Sequence, residues 1–393
     1  MNMPPSSDMR PSSACMTMIE RLVAFDTTSH RSNLEAIAFL RETLEGLGAV
    51  CRLTYDDDSR KANLYATLGP TDRPGIMLSG HTDVVPVDGQ SWSTDPFRLT
   101  ERDGYFFGRG AADMKSFIGL CLGLAPEFVA RGLETPIHFS FSYDEEMGCV
   151  GVRRLIHDMS GLPIRPKLCI VGEPTGMQVI AGHKGKKSVH CHVHGRECHS
   201  ALGQGVNAVE IAAELIAGIR GIQRRIREIG PFDQSYEPPF TTLHTGVVEG
   251  GRALNIVPRD CRFDFEIRAL PGHDSEALLD EIRTIATDRL EPEMKAMDDA
   301  TGIEIKVMND TAGFDLPDDH PAVRFVSALT GANQTGRVSF GTEAGLFNEA
   351  GVPTVVCGPG HIDQAHRPDE FISGHQLVQG EGFLRRLMDH VCR

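Results

Sequence analysis

The sequence predicts an α/β chain of two domains: a larger one with a mixed sheet covered by helices on both faces, and a smaller α+β domain inserted into it. Three observations predict this. The chain has 393 residues, more than one ordinary core accommodates, so two domains are the natural expectation. Up to about residue 181, strand-length apolar runs alternate with segments of helical spacing, the signature of a sheet sandwiched between helices. From about 182 to 309 the order becomes βαββαβ, which suits a small open sheet with two helices on one face, and after Phe314 the first pattern returns. The expected division is therefore 1–181 plus 310–393 for the larger domain and 182–309 for the insertion.

The elements follow in order. Residues 19–25 and 34–47 carry apolar side chains at helical spacing, with Gly48 as a stop. Short apolar runs at 63–68 and 76–78 read as strands. Residues 114–129 read as a helix in which Gly119 and Gly123 permit close approach of a neighbour and Pro126 predicts a break or kink. Strands are expected at 137–141 and 168–171, with a helix at 150–159 between them. In the insertion, 187–194 alternates with strand period, 206–229 is a long helix, 241–248 and 261–267 are strands, 275–290 is a helix and 303–307 a strand. A helix from about 321, a strand at 354–357 and a closing helix from about 375 complete the larger domain.

Composition narrows the function. Hydrophobic residues make up 40% and charged residues 24%, a globular balance. The net charge of −15 argues against nucleic acid as a partner, which would need clustered Lys and Arg. No run approaches the roughly 20 apolar residues of a membrane span. Residues 1–18 are rich in Met, Pro and Ser without the apolar run of a secretory signal, and read as a frayed start. Ten cysteines without a Cys-x-x-Cys pair predict reduced thiols and a cytoplasmic location.

Five segments concentrate His, Asp and Glu beside strand ends. Ser79-Gly80-His81-Thr82-Asp83 places His81 at a strand's carboxyl end, where open α/β sheets bind ligands, and Asp83 could accept the other ring N–H of His81. Gly108-Arg109-Gly110-Ala111-Ala112-Asp113-Met114-Lys115 is a Gly-rich loop ending in an Asp that could equally be an N-cap. Asp144-Glu145-Glu146 follows the strand at 137–141. Its carboxylates repel one another, so it is either a solvated loop or a group holding a cation. Glu173 stands just past another strand, and Gly358-Pro359-Gly360 leads to Gln364-Ala365-His366 after the last one. Singly each has an ordinary explanation. Together they bring two histidines and several carboxylates to one sheet edge, a donor set that suits Zn²⁺ or Co²⁺. Three ligands per ion with one bridging carboxylate requires five residues and leaves positions for water, a catalytic two-metal arrangement.

The same segments resemble, over nearly the whole chain, the zinc aminoacylase/carboxypeptidase family. The resemblance rests on Gly80-His81-Thr82-Asp83-Val84-Val85-Pro86, Gly108-Arg109-Gly110 with Asp113-Met114-Lys115, Asp144-Glu145-Glu146 and Glu173-Pro174-Thr175. Within that family, Val87-Asp88-Gly89-Gln90 with Trp92, Gly341-Thr342-Glu343-Ala344-Gly345 and Val355-Val356-Cys357-Gly358-Pro359-Gly360 look like the branch acting on acetylornithine. The resemblance implies a two-domain metallohydrolase with two divalent ions per subunit, zinc or cobalt. It assigns one ion to His81, Asp113 and Glu173 and the other to Asp113, Glu146 and His366. Glu145 is similar to the family's general base, and Asp83 to the residue orienting His81. The insertion is implied to be a lid and homodimer surface, with His199 reaching the partner's site as a donor to the oxyanion. Asn255 and Arg268 match positions that contact the substrate carboxylate.

Two departures qualify this. The stretch from His199 to Ala208 lacks the Pro that many relatives carry, so its path is open and His199-Ser200 could instead cap a helix; Ser116 replaces a common Gly. Glu343, following the expected strand before Gly341 and Thr342, suits the δ-ammonium of ornithine or the start of a helix. The expected reaction is hydrolysis of an N-acyl amino acid, N2-acetyl-L-ornithine first, in arginine biosynthesis. Acetylcitrulline, succinyl-diaminopimelate, a general aminoacylase substrate, a dipeptide, or a relative without catalysis are the alternatives. Separately, His190, His192 and His194 alternate on one predicted strand face, as any solvated face or a further metal site would.

Overall fold

The structure, a computed structural model, describes residues 10–393. The chain divides into two compact units: one of residues up to 182, Asp315–Gly336 and Thr342–Arg393, and one of His183–Phe314 with Arg337–Gly341.

The first unit is built on a mixed sheet. Six of the sheet's nine strands lie in the order Val50–Tyr55, Ala62–Leu68, Ile137–Ser142, Ile76–His81, Leu168–Pro174, Thr354–Gly358. The first two pairings are antiparallel, and the central ones, from Ile137–Ser142 through Thr354–Gly358, are parallel. Those central strands are buried at every position, which is why they read as unbroken apolar runs. Parallel neighbours also put the carboxyl ends of Ile76–His81, Ile137–Ser142 and Leu168–Pro174 at one edge, and each strand ends at or close to one of the candidate donors His81, Glu145, Glu146 and Glu173.

The helix Lys115–Arg131 is buried along most of its length and is crossed by the helix Ser13–Val23. Contact there is backbone to backbone. A Cβ on Gly119 would stand 2.9 Å from Ile19 Cα, and one on Gly123 would stand 2.5 Å from Cys15 Cα, so only glycine fits. Two expectations are corrected here. Residues 13–18 are not a frayed start but the first turns of a helix capped by Ser12 and anchored by buried Cys15 and Met16; residues 1–9 lie outside those described. The Lys115–Arg131 helix also does not end at Pro126, because Phe128 beyond it is fully buried and holds the last turn in place.

The second unit is an antiparallel sheet in the order Thr242–Gly250, Asp260–Ala269, Gly185–His194, Gly302–Thr311. Gly185–His194 alternates strictly between buried and half-exposed, its odd residues packing against the helices Ala208–Ile229 and Ser275–Thr284. The unit extends past 309 because its last strand keeps pairing with Gly185–His194 as far as Thr311 opposite Lys186. It also takes in Arg337–Gly341, tied to it by Lys184 N–H donating to Val338 O and Ser339 Oγ donating to Glu237 O. All ten cysteines are free thiols, and no described helix is long and apolar enough to cross a membrane.

Candidate metal centre

His81 closes the strand Ile76–His81 and is 1% exposed. Its Nδ1 lies 2.9 Å from the backbone carbonyl of Asp83, which fixes a proton on Nδ1 and turns Nε2 toward the cluster. The orienting group is therefore the Asp83 carbonyl. The Asp83 carboxylate, which sequence reading placed in that role, is 3.6 Å away and has other work: it accepts the backbone N–H groups of Glu145 and Glu146 at 3.0 and 3.2 Å and the Ser29 hydroxyl at 2.8 Å. It thereby holds the acidic loop in register with His81.

Asp113 arrives from the Gly-rich loop. The loop's Gly110, Ala112 and Asp113 amides all donate to the Glu370 carboxylate, which is paired with Arg109 at 2.6 Å. Arg109 donates also to Gln90 and stacks over Trp92 with its guanidinium 5.0 Å from the ring centre. So anchored, Asp113 places Oδ1 3.0 Å from His81 Nε2 and Oδ2 3.2 Å from His366 Nε2. His366 Nε2 also lies 3.0 Å from Glu146 Oε1, and Glu173 Oε1 lies 3.8 Å from His81 Nε2. His366 holds a left-handed backbone conformation at φ 59°, uncommon for a non-glycine residue.

The electrostatics are those of a site short of positive charge. Burial acts to lower the His81 pKa, but the carboxylates of Asp113, Glu173 and Asp83 outweigh it and raise it well above the imidazole range. Hydrogen bonds to Asp113 and Glu146 raise His366 to about 10. Burial acts to raise Asp113, and the two imidazoles overcome it and hold its carboxyl below the usual range. Loss of hydration, with neighbouring carboxylates adding to it, raises Glu173 well above its ordinary value, Glu146 upward and Glu145 to about 8. Four carboxylates crowd two imidazoles here, and such a group is stable when cations enter it. The spacing fits: a tetrahedral ion with ligands at about 2.0–2.1 Å sets neighbouring donors about 3.3 Å apart, and the pairs above span 3.0 to 3.8 Å.

A family model for "Peptidase family M20/M25/M40" matches residues 77–390, which include every residue of this cluster. The chain belongs to that family. It is a metal-dependent amidohydrolase of the M20 type. It is similar to the acetylornithine deacetylase of Myxococcus xanthus, 36% identical over 98% of this chain and 99% of the relative. It is also similar to that of Yersinia pseudotuberculosis, 32% identical over 94% of each. An M20 metallo-carboxypeptidase from Sulfolobus solfataricus shares the fold, with a TM-score of 0.75 over 97% of this chain and 100% of that one at 17% identity.

The remaining sequence-predicted residues fall as follows. Glu145 stands beside the M20 cluster with the Cys149 thiol donating to its Oε1 at 3.4 Å. Thr342 and Glu343 are in the first unit, each 1% exposed. Glu343 occupies the N-cap position of the helix Ala344–Glu349 but makes no side-chain capping bond; its Oε1 accepts from Ser142 Oγ. Burial raises it to about 7, and its Oε2 has no hydrogen-bond partner among the described residues. His199, Asn255, Arg268 and Gly341 belong to the second unit. His199 is exposed and starts the short turn Ser200–Leu202, its Nδ1 accepting from Ala201 N–H, while Ser200 N–H donates to Asn255 O. The long helix has its own cap, Asn207. Arg268 is engaged with Glu266 through both ends of its fork.

Sequence reading missed the supports. Ser29 and Lys61 were not singled out, yet Lys61 holds both oxygens of Asp144 at 2.5 and 2.7 Å, steadying the acidic loop from the other side. Glu370 was missed although it follows His366 by four residues in Arg367-Pro368-Asp369-Glu370, a charged run after a candidate ligand.

Proposed function

We propose that this M20 enzyme hydrolyses N2-acetyl-L-ornithine to L-ornithine and acetate, a step of arginine biosynthesis, in the cytoplasm. The observation that carries the chemistry is Asp113, whose two oxygens face two different imidazoles, 3.0 Å from His81 and 3.2 Å from His366. A carboxylate so placed is suited to bridge two ions. His81, Asp113 and Glu173 would hold one, and Asp113, Glu146 and His366 the other; the nitrogen and oxygen donors suit zinc, with cobalt as substitute. When bound, the ions acidify water and polarise the amide carbonyl.

The chain's own residues do the rest. Glu145, held beside the cluster by its backbone bond to Asp83, suits a base that takes a proton from the attacking water and returns it to the departing amine. Asp83 fixes both His81 and the Glu145-Glu146 backbone, so base and ligands are positioned by one residue. His199 would donate to the oxyanion, and Asn255 and Arg268 would receive the substrate carboxylate, for which the Arg fork is suited once released from Glu266. Gly341, Thr342 and Glu343 would shape the amino-acid side of the site. A homodimer through the second unit would supply His199 in trans. Supporting this, the sheet's outer strands Thr242–Gly250 and Gly302–Thr311 each pair on one side within the chain, and Val247, Val248 and Met308 on them are exposed.

The test is a panel of acetyl and succinyl amino acids and dipeptides, with released amine followed by ninhydrin. Acetylornithine should be the best substrate, activity should vanish with chelator, and Zn²⁺ or Co²⁺ should restore it. Faster turnover of succinyl-diaminopimelate or a dipeptide would overturn the substrate, and turnover by metal-free protein would overturn the chemistry.

A further inference from the structure

The strand Gly185–His194 in the second unit turns its even-numbered residues to the face opposite the helices. Three of them are His190, His192 and His194. On the neighbouring strand, Asp260 is the direct partner of His194, and the pairing brings a carboxylate into reach of two imidazoles at once. His192 Nε2 lies 2.8 Å and His194 Nδ1 3.2 Å from the same oxygen, Asp260 Oδ1. The three donor atoms all lie within 4.8 Å of one another. We propose that His192, His194 and Asp260 form a further binding site for a divalent transition cation of the Zn²⁺, Ni²⁺ or Cu²⁺ class, one that does not depend on the amidohydrolase reading.

Geometry carries the argument. Side chains two apart on a strand point the same way, so His192 and His194 are presented together with no local distortion. A tetrahedral ion requires donors about 3.3 Å apart. Two of the pairs here already stand at 2.8 and 3.2 Å and the third lies within 4.8 Å, so an ion among them needs shifts of at most about 1.5 Å, within reach of rotation by half-exposed side chains. Two imidazoles and a carboxylate favour the later first-row divalent ions over Mg²⁺ or Ca²⁺, which prefer all-oxygen shells. Glu304, exposed on the strand Gly302–Thr311, is the direct partner of His192 on the other side and can supply a fourth ligand, an oxygen.

The proton balance closes locally. Arg259 Nη2 lies 3.4 Å from His194 Nε2, and since Arg can only donate, that nitrogen is the acceptor and Nδ1 carries the proton that faces Asp260. His192 Nε2 likewise carries the proton it donates to Asp260, so ligation through His194 Nδ1 and His192 Nε2 moves each proton to the other nitrogen of its ring and releases the exposed Arg259 to solvent. His190 is not part of the site: its Nδ1 is bonded at 2.6 Å to a different carboxylate, Asp264. Arg262, opposite His192, opposes binding by charge, which makes this a site of modest affinity, read at equilibrium.

The experiment uses the full-length protein, first loaded with Zn²⁺ and then brought to equilibrium by dialysis against buffered Zn²⁺, with metal and protein counted on the same sample. Wild type should hold one more equivalent per subunit than H192Q/H194Q or D260N, all three being folded by circular dichroism. Cu²⁺ added below stoichiometry to the Zn²⁺-loaded wild type should give an EPR spectrum with two-nitrogen hyperfine splitting that the double variant lacks. Equal metal content in wild type and double variant overturns the proposal. So does D260N binding the added ion as tightly as wild type, because the third ligand would then be absent.

Discussion

Arg109 and Glu370 form an ion pair at 2.6 Å in which each side chain is 1% exposed, and the same Glu370 carboxylate receives the loop amides that lead to Asp113. Glu370→Gln should therefore cost more than a surface pair. Leaving a buried guanidinium without its partner destabilises by about 3–5 kcal/mol, which urea unfolding of the metal-free protein would read. Metal content should fall as well, since Asp113 loses its anchor. A variant as stable as wild type would show that the pair contributes nothing net.

Glu145 and Glu146 are adjacent, and the proposed function gives them different tasks. Glu145→Gln should lower kcat by about 10²- to 10⁴-fold, the usual contribution of a positioned base, with metal retained. Glu146→Gln should lose metal, because its Oε1 lies 3.0 Å from His366 Nε2. Metal analysis beside kinetics separates them, and metal loss from the first variant with retention in the second would reverse the assignment.

If His199 acts from a partner subunit, two inactive variants should rescue each other. Mixed His199→Ala and Glu145→Ala subunits, shown to exchange, should regain part of the wild-type activity. Continued inactivity of the mixed dimers would place His199 in its own subunit's chemistry.

Glu343 separates two kinds of role. It is 1% exposed and bonded to Ser142, so Glu343→Gln should lower turnover of acetylornithine and of neutral acetylmethionine together if the residue acts by positioning. A loss of about 2–5 kcal/mol in apparent transition-state binding confined to acetylornithine would instead make it the partner of the substrate's ammonium.

His138 gives a pH signature away from the metals. Burial pushes its pKa down from 6.5 to about 4, and its Nε2 has no hydrogen-bond partner among the described residues. The folded state thus keeps the imidazole neutral where the unfolded chain would protonate it. Stability is unaffected above pH 6.5, declines as pH falls from there toward 4, and levels below. The full effect is on the order of 3 kcal/mol. His138→Gln should flatten this part of the stability profile; an unchanged slope would show that the imidazole is protonated in the folded protein.

What was legible in the sequence was whatever local pattern encodes. Buried strands announce themselves as apolar runs, and the strict alternation at 187–194 gave the second sheet's inner face. The donors of the cluster were legible because strand ends in a parallel sheet must converge. What was not legible depends on long-range pairing. Nothing local distinguishes the Asp83 carbonyl from its carboxylate as the group that meets His81 Nδ1, or marks Ser29 and Lys61 as supports for a loop far along the chain. Asp260 is similar: its meeting with His192 and His194 is a matter of strand register, which the three-histidine alternation cannot disclose.

The helix Ser13–Val23 touches the backbone of Lys115–Arg131 through Gly119 and Gly123, and the helix Gly374–Val391 closes the same unit from the far end of the chain. On the ribosome this imposes an order. The first helix emerges with no surface to dock on and waits for the glycine-bearing one. His366 and Glu370 follow only after the second unit has been synthesised, all but Arg337–Gly341 of which is continuous in the chain. The inserted unit can thus complete its fold while its host is still open, and the metal-binding edge becomes whole only after it.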